Sequence, residues 1–160
     1  KQFFSSGFRL VSTSSELIVL SREKENMDNS QMLPASLTIE SEGEYELLGQ
    51  KFSVSVEPWS KGMALKQPSG VLIADARVMT FPFTVRRWAP GDWMKPLGLK
   101  GKKKISDILT DLKMDILKKE SVLVAVLPSQ QKSAALLGLR IDESFKVSDD
   151  TESIVRITLL

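Results

Sequence analysis

Residues 86–112, RRWAPGDWMKPLGLKGKKKISDILTDL, decide the architecture of this chain, because a run of turns ends there and a helix begins. The first part contains five turn-forming residues: Pro90, Gly91, Pro96, Gly98 and Gly101. The apolar residues that follow have the i, i+3, i+4, i+7 spacing of one helix face: Ile105, Ile108, Leu109 and Leu112. We therefore predict one principal amphipathic helix directly after a segment of turns.

The same stretch carries the charge asymmetry of the chain. Residues 86–104 hold seven basic residues and one acidic residue, whereas the whole chain has a net charge of only +2. The remaining residues are therefore mildly acidic. A compact cationic strip of this kind suits a phosphate backbone, because binding releases counterions. A solvated, lysine-rich loop is the alternative interpretation of the charge alone.

Composition excludes several classes of function. The 160 residues indicate one domain or two small lobes, and they include neither cysteine nor histidine. Disulfides, thiolate nucleophiles, Ser-His-Asp triads and most transition-metal sites are thereby excluded. No apolar run approaches the length of about 18–20 residues that a membrane span needs. Because the chain begins at Lys1, we expect it to be part of a longer polypeptide.

Alternation of polar and apolar residues predicts a β-rich chain on both sides of the basic strip. A hairpin is expected over 8–20 and a loop over 22–31. Further strands are expected at 37–39, 45–48, 51–57, 71–74, 83–87, 121–127, 134–141 and 153–159. A second short helical turn is expected over 116–120, capped by Asp115, and a hairpin loop over 128–132. The fold class is α+β: a β-rich, mixed-sheet or sandwich-like domain with one principal helix.

Short motifs in the strip are weak. Gly98 and Gly101 match the GxxG loop of KH domains, but that loop joins two helices, and the prolines upstream argue against a helix. The spacing of a P-loop is absent. Asp92, Asp107 and Asp111 could be offered as a catalytic carboxylate set. We favour structural roles for them: a turn residue that binds local amides or an arginine, a helix-dipole residue and a solvent-facing residue.

The aromatic and basic residues near the strip allow two interpretations. Trp88 and Trp93 can anchor turns or stack on bases; we favour anchoring for Trp88 and leave Trp93 open. Arg140 is expected to pair with Asp142 or Glu143, and a phosphate contact is the second interpretation. The lysines that precede the principal helix lie at the positive end of its dipole. This placement is unfavourable unless an anion binds there.

Taken in order, the segments TVRRWAPGD, KPLG, KGKKKISD, DLK and GLRID resemble the C-terminal region of tRNA(Ile)-lysidine synthetases, over about 73–146. The matching positions are Arg86, Gly91, Asp92, Pro96, Leu97, Gly98, Gly101, Lys103, Lys104, Ser106, Asp107, Lys113, Gly138, Arg140, Ile141 and Asp142. Two departures are Trp93, where the family usually has arginine, and Asp115, where an Ile-Pro pair is common.

The resemblance implies a division of labour within a longer enzyme. In this family an ATP-pyrophosphatase domain with a Ser-Gly-Gly-x-Asp-Ser loop adenylates the wobble cytidine of a tRNA(Ile) with a CAU anticodon, and lysine then displaces AMP. That loop is absent here. The chain thus resembles the non-catalytic part that holds the tRNA body and acceptor stem, with 71–160 as the family-like domain and 1–70 as a β-rich part, in one reading a sub-lobe.

The resemblance also suggests partners and sites. We expect no cofactor or metal in this chain, and ATP and Mg²⁺ in the missing catalytic domain. We also expect a cytoplasmic location, tRNA(Ile) as partner and a possible homodimer of the parent. The alternative is a protein-interaction or oligomerisation module that meets an acidic partner; a small enzyme that uses the carboxylates is a third interpretation. The residues expected to face tRNA are Arg86, Arg87, Lys95, Lys100, Lys102, Lys103 and Lys104.

Overall fold

The computed structural model describes residues 2–4, 8–12, 17–21 and 36–160, and for the first three ranges it describes the backbone alone. The strands, in chain order, are β1 (Gln2–Phe4), β2 (Phe8–Ser12), β3 (Leu17–Ser21), β4 (Ser36–Ile39), β5 (Gly43–Leu47), β6 (Gln50–Pro58), β7 (Val71–Asp75), β8 (Phe83–Arg87), β9 (Trp93–Met94), β10 (Lys103–Lys104), β11 (Leu123–Val126), β12 (Ala135–Leu136), β13 (Arg140–Ile141) and β14 (Ser153–Leu159). The helices are α1 (Ile105–Asp111) and α2 (Ile116–Ser121), and Glu143–Phe145 forms a 3₁₀ turn.

These strands form four antiparallel sheets in the described part of the chain. Strands β1, β2 and β3 pair in that order, so the hairpin expected over 8–20 is confirmed. The loop expected over 22–31 lies outside the described residues. The two larger sheets have the orders β5-β6-β14-β7 and β13-β12-β11-β8-β4, and β9 pairs with β10 in a small hairpin.

A hydrophobic core separates the two larger sheets. Phe52 and Val54 of β6 meet Phe83 and Val85 of β8 in this core, and all four side chains are buried. These pairs of residues are two apart because alternate side chains of a strand point to the same face. The α+β, sandwich-like class that the sequence predicts is therefore confirmed.

The five-stranded sheet is buried on its second face as well. Along β11, Leu123 and Ala125 join the core between the sheets, whereas Val124 and Val126 join a second core. This explains why the 122–127 segment is apolar throughout rather than alternating.

Helix α1 covers this second face with the predicted stripe. Ile105, Ile108 and Leu109 are buried in the second core, and Met94 of β9 packs among them. At its end, the amide of Met114 donates to the carbonyl of Leu109 and the amide of Lys113 to that of Thr110. This is a Schellman motif, and Lys113 occupies its left-handed position with φ 56°.

Three segments differ from expectation. The strand expected over 134–141 is a tight hairpin of β12 and β13, because Gly138 adopts a φ of +74° at its turn. Strands β9 and β10 lie in the segment where only turns were expected. Strand β1 was also not anticipated. The other strands and both helices agree with prediction to within two residues at each end.

Both larger sheets contain strands from either side of residue 70. Strand β4 pairs with β8, and β6 pairs with β14. Residues 36–70 therefore share sheets with 71–160, while the assignment of 71–160 as a separate family-like domain stays a prediction. Within the described ranges, neither α-helix has the length and apolar content needed to cross a membrane.

Candidate nucleic-acid interface

Most of the cationic strip forms one structural unit, which we call the basic hairpin and define as residues 93–104. Lys103 pairs with Met94 and Lys104 with Trp93, so residues 95–102 form the loop between two very short strands. Met94 is fully buried in the second core. The hairpin is thus fixed to the body of the protein beside helix α1.

Backbone hydrogen bonds hold the first side of the loop. The amide of Lys95 donates to Oδ2 of Asp142 at 2.8 Å, and the amide of Glu143 donates to the carbonyl of Lys95 at 2.8 Å. Two residues on, the amide of Leu97 donates to the carbonyl of Ile141 at 3.0 Å. Residues 95–97 are therefore fastened to strand β13 and the 3₁₀ turn, independently of their side chains.

Asp142 is the centre of this attachment, and its carboxylate is fully buried. Lys132 Nζ donates to Oδ1 at 2.9 Å, and the hydroxyl of Ser144 donates to the same oxygen at 2.7 Å. Burial raises the pKa of Asp142, but the hydrogen bonds from Ser144, the Lys95 amide and Lys132 outweigh it and lower that pKa.

This arrangement corrects the expected role of Arg140. The pairing with Asp142 or Glu143 is wrong, because Lys132 takes Asp142 and Lys146 Nζ lies 3.4 Å from Glu143. Arg140 is exposed, and its guanidinium donates to the carbonyl of Leu139 at 2.8 Å. The sequence had marked Asp142 as a motif residue, but nothing in the spacing pointed to Lys132.

A second carboxylate fixes the turn before the hairpin. Asp92 accepts two hydrogen bonds from the guanidinium of Arg86, at 2.8 and 2.9 Å, and one from the amide of Ala89 at 2.7 Å. Burial opposes ionisation, yet the contacts with Arg86 and Ala89 prevail and lower the pKa of Asp92. The expected turn role of Asp92 is confirmed, and the guanidinium of Arg86 is engaged inside the protein.

The two tryptophans differ in their surroundings. Trp88 packs against the second core, and its indole Nε1 donates to the carbonyl of Lys119 at 2.5 Å, so the predicted anchoring role is confirmed. Trp93 is half-buried, and Nζ of Lys102 lies 4.2 Å from the centroid of its ring. That distance is within the range of a cation–π contact, which draws the second side of the loop towards the first.

The residues that follow the loop enter helix α1. Lys103 forms an ion pair with Asp111, and Lys104 is the N-cap residue, with no side-chain hydrogen bond to the helix. The amide of Ile105 donates to the carbonyl of Asp92 at 2.9 Å. Part of the helix N-terminus is therefore satisfied internally rather than open to an anion.

The seven predicted cations thus fall into two groups. Arg86 and Lys103 have carboxylate partners. The others are exposed on or next to the hairpin: Arg87, Lys95, Lys100, Lys102 and Lys104. The structure brings four of these five onto one hairpin.

Sequence reasoning missed two apolar residues in the same loop. Leu97 and Leu99 flank Gly98 and are about half exposed, at 47% and 49%. Leu97 occupies a position that matches the family pattern, but that match predicts neither burial nor exposure for it. The available signal was the alternation of leucine with glycine and lysine in a segment too rich in turns to form a core.

The structure supports neither the KH-type loop nor the catalytic carboxylate set that the sequence offered as alternatives. Gly98 and Gly101 lie in a β-hairpin loop, whereas a KH domain requires its GxxG loop between two helices. Asp92 and Asp111 are each held by a basic partner, and Asp107 is exposed in the first turn of α1. Within residues 36–160 and the three short strands before them, no cluster of acidic side chains is arranged to hold a metal ion.

Comparison with known proteins agrees with this picture. The chain is 29% identical over all of its 160 residues to the tRNA(Ile)-lysidine synthase of Parabacteroides distasonis, covering 34% of that protein. It is 38% identical over 81 residues, 51% of the chain, to the tRNA(Ile)-lysidine synthase of Bacteroides thetaiotaomicron, covering 18% of it. The chain is similar to the C-terminal part of tRNA(Ile)-lysidine synthases.

The resemblance inferred from the motifs is thereby confirmed. The fold matches the crystal structure of a TilS C-terminal domain with a TM-score of 0.64 and 15% identity, over 78% of this chain and 94% of that one. No family model matches the chain. The chain spans about a third of the length of the curated tRNA(Ile)-lysidine synthase that it matches from end to end.

Proposed function

We propose that this chain is the non-catalytic, tRNA-holding part of a tRNA(Ile)-lysidine synthase. The observation that carries the proposal is an anchored hairpin that presents exposed lysines from a mildly acidic body. Lys95, Lys100, Lys102 and Lys104 are exposed, and the hairpin is held at the Lys95 amide by Asp142 and at Met94 by the second core. Arg87 adds a fifth exposed cation at the end of β8.

This arrangement suits the backbone of folded RNA. The major groove of an A-form helix is too narrow for side chains, so proteins recognise RNA duplexes mainly by shape and by phosphate and ribose contacts. Lysines supply position and affinity in this way without reading sequence. A preorganised loop also reduces the conformational entropy that is lost on binding.

The remaining parts of the proposal concern the parent enzyme. The catalytic domain, with its ATP and Mg²⁺, lies elsewhere in the same polypeptide, and tRNA(Ile) is the shared substrate. The reaction converts the wobble cytidine of the CAU anticodon to lysidine. We place the enzyme in the cytoplasm.

The test is a fluorescence anisotropy titration of the chain with a tRNA(Ile) transcript at several salt concentrations. Neutralisation of five phosphates predicts a slope of log K against log salt of about −4. Replacement of Lys100 and Lys102 by alanine should reduce the magnitude of the slope by about 2. The matched control is replacement of Lys51 and Lys66, two exposed lysines outside the hairpin, by alanine.

The outcomes separate the candidate functions. Equal effects of the two double variants would show that net charge, not the hairpin, drives binding. A slope near zero on tRNA would contradict the proposal. Stronger binding to an acidic polypeptide such as polyglutamate than to tRNA would favour the protein-interaction module instead.

A further inference from the structure

The loop of the basic hairpin presents apolar surface as well as charge. Leu97 and Leu99 are two of the six large hydrophobic residues that are exposed among residues 36–160. They lie on either side of Gly98, whose φ is +86°. Neither side chain belongs to a hydrophobic core cluster of the described chain, so core packing does not explain them.

The position of these leucines is fixed by the backbone. The amide of Leu97 donates to Ile141, and the amide of Leu99 donates to the carbonyl of Pro96 at 3.1 Å, which closes a turn on the buried Pro96. The two half-exposed leucines therefore form a small apolar surface on an anchored turn. Their side chains do not fold back onto the protein, so this surface is preorganised for binding.

The charged residues around Leu97 and Leu99 indicate what kind of partner this apolar surface can bind. Lys95, Lys100 and Lys102 are exposed in the same eight-residue loop, and the acidic residues Asp92 and Asp111 are engaged with Arg86 and Lys103. The partner must therefore offer anionic groups next to an apolar face. Unstacked or terminal bases of RNA do so, because the flat face of a base is apolar and its phosphates lie within a few ångströms. The side of an intact duplex presents phosphates, riboses and polar base edges instead.

We propose that Leu97 and Leu99 contact the exposed face of a terminal or unstacked base at the end of an RNA helix, while the neighbouring lysines bind its phosphates. This inference rests on the proposed function, since it requires the hairpin to bind RNA. It adds a preference that the lysines alone do not give: the hairpin distinguishes an open helix end from the side of a duplex.

The experiment compares two RNA duplexes of one sequence. In one, both ends are open; in the other, both are closed by non-nucleotide glycol linkers that cover the terminal base pairs. The protein variant is Leu97→Ser with Leu99→Ser, and the control variant is Lys100→Ala with Lys102→Ala. Since both leucines are exposed, thermal unfolding should show that the leucine variant is as stable as the unsubstituted chain.

The unsubstituted chain should bind the open duplex about tenfold more tightly than the closed one, a difference of about 1.4 kcal/mol. The leucine variant should lose that preference and keep the salt slope, whereas the lysine variant should reduce the slope on both RNAs. An equal loss on both duplexes would overturn the end contact in favour of a groove contact. No loss on either would overturn it and point to a protein surface on the leucines. A lysine variant without effect would instead remove the proposed function itself.

Discussion

The guanidinium of Arg86 and the carboxylate of Asp92 form a two-pronged ion pair, with N–O distances of 2.8 and 2.9 Å. The pair joins the end of strand β8 to the turn that leads into the basic hairpin. It removes one of the seven predicted cations from the set that is available to RNA.

Replacement of Arg86 by lysine should therefore affect stability more than RNA binding. Lysine keeps the charge but loses the fork that matches a carboxylate, which should lower the free energy of unfolding by about 1–2 kcal/mol. Urea unfolding measures this loss, and the salt slope of tRNA binding should stay unchanged. A flatter slope in this variant would show that Arg86 reaches phosphate after all.

Replacement of Asp142 by asparagine should loosen the first side of the hairpin. The change leaves Lys132 without its carboxylate partner and weakens the hold on the Lys95 amide. The free energy of unfolding should fall by roughly 3 kcal/mol. Hydrogen exchange at the amides of Lys95 and Leu97 should accelerate more than at the amide of Phe52 in the core between the sheets. Uniform acceleration at both places would mean that Asp142 supports the whole fold rather than the hairpin.

Replacement of Gly138 by any residue with a side chain should be costly. Its φ is +74°, and a Cβ at this position would lie 2.4 Å from Cδ1 of Leu159 and 3.4 Å from Cα of Gly70. Replacement by alanine should cost about 2–4 kcal/mol, from backbone strain and overpacking together.

Gly98 provides the matched control for this comparison. Its φ is +86°, but a Cβ there would meet nothing within 4 Å. Gly98→Ala should cost only the backbone part, about 1 kcal/mol. Similar melting temperatures for the two alanine variants would contradict the steric argument at Gly138.

Lys113 should be replaceable with a gain in stability. It holds the left-handed position of a Schellman motif, where glycine avoids the strain of a Cβ. Lys113→Gly should raise the free energy of unfolding by up to about 1 kcal/mol, and Lys113→Ala, which keeps the Cβ, should not. Thermal unfolding of the three proteins measures the effect. An equal response to glycine and alanine would assign it to loss of the lysine side chain.

Stability should fall in acid because of Asp75. The hydrogen bond from the side chain of Arg77 is the main cause that lowers the pKa of this buried carboxyl to about 2, against an ordinary value of 3.8. The unfolded chain therefore binds a proton more readily than the folded one, so the stabilisation is present above pH 4 and is lost as the pH falls towards 2. It amounts to at most about 2 kcal/mol, because Arg77 is more than half exposed and solvent screens the pair.

Asp75→Asn separates this contribution from the other carboxylates. The difference in unfolding free energy between the unsubstituted chain and this variant should shrink as the pH falls from 4 to 2. A difference that stays constant over that interval would show that Asp75 titrates alike in the folded and unfolded chain.

Local sequence patterns predicted much of the fold, because the burial of one face of a helix or strand is visible in residues that are close together in the chain. The helix stripe that starts at Ile105 and the alternation around Phe52 each follow from which faces are buried, and both were predicted correctly. The 134–141 segment was predicted incorrectly, because a single glycine in its apolar run, Gly138, adopts a positive φ and turns the chain back into a hairpin.

The candidate site was only partly visible for the same reason. Charge alone marked the strip, and an arginine partner for Asp92 was anticipated, but the commitment of Lys103 to Asp111 depends on how the hairpin and helix fold onto each other. The partnership of Lys132 with Asp142 joins residues on either side of the β12–β13 hairpin, and no residue pattern announces it.

The attachment of the hairpin through amide groups and the buried Asp142 has an evolutionary consequence. The backbone groups that hold the loop in place and the side chains that face outwards are different groups, since Lys95 and Leu97 are fixed by their amides while their side chains are exposed. Side chains at the tip can thus be exchanged by mutation without dismantling the support. The exposed side chains of the hairpin can therefore differ between related proteins, and with them the RNA feature that is bound, while the backbone attachment stays the same.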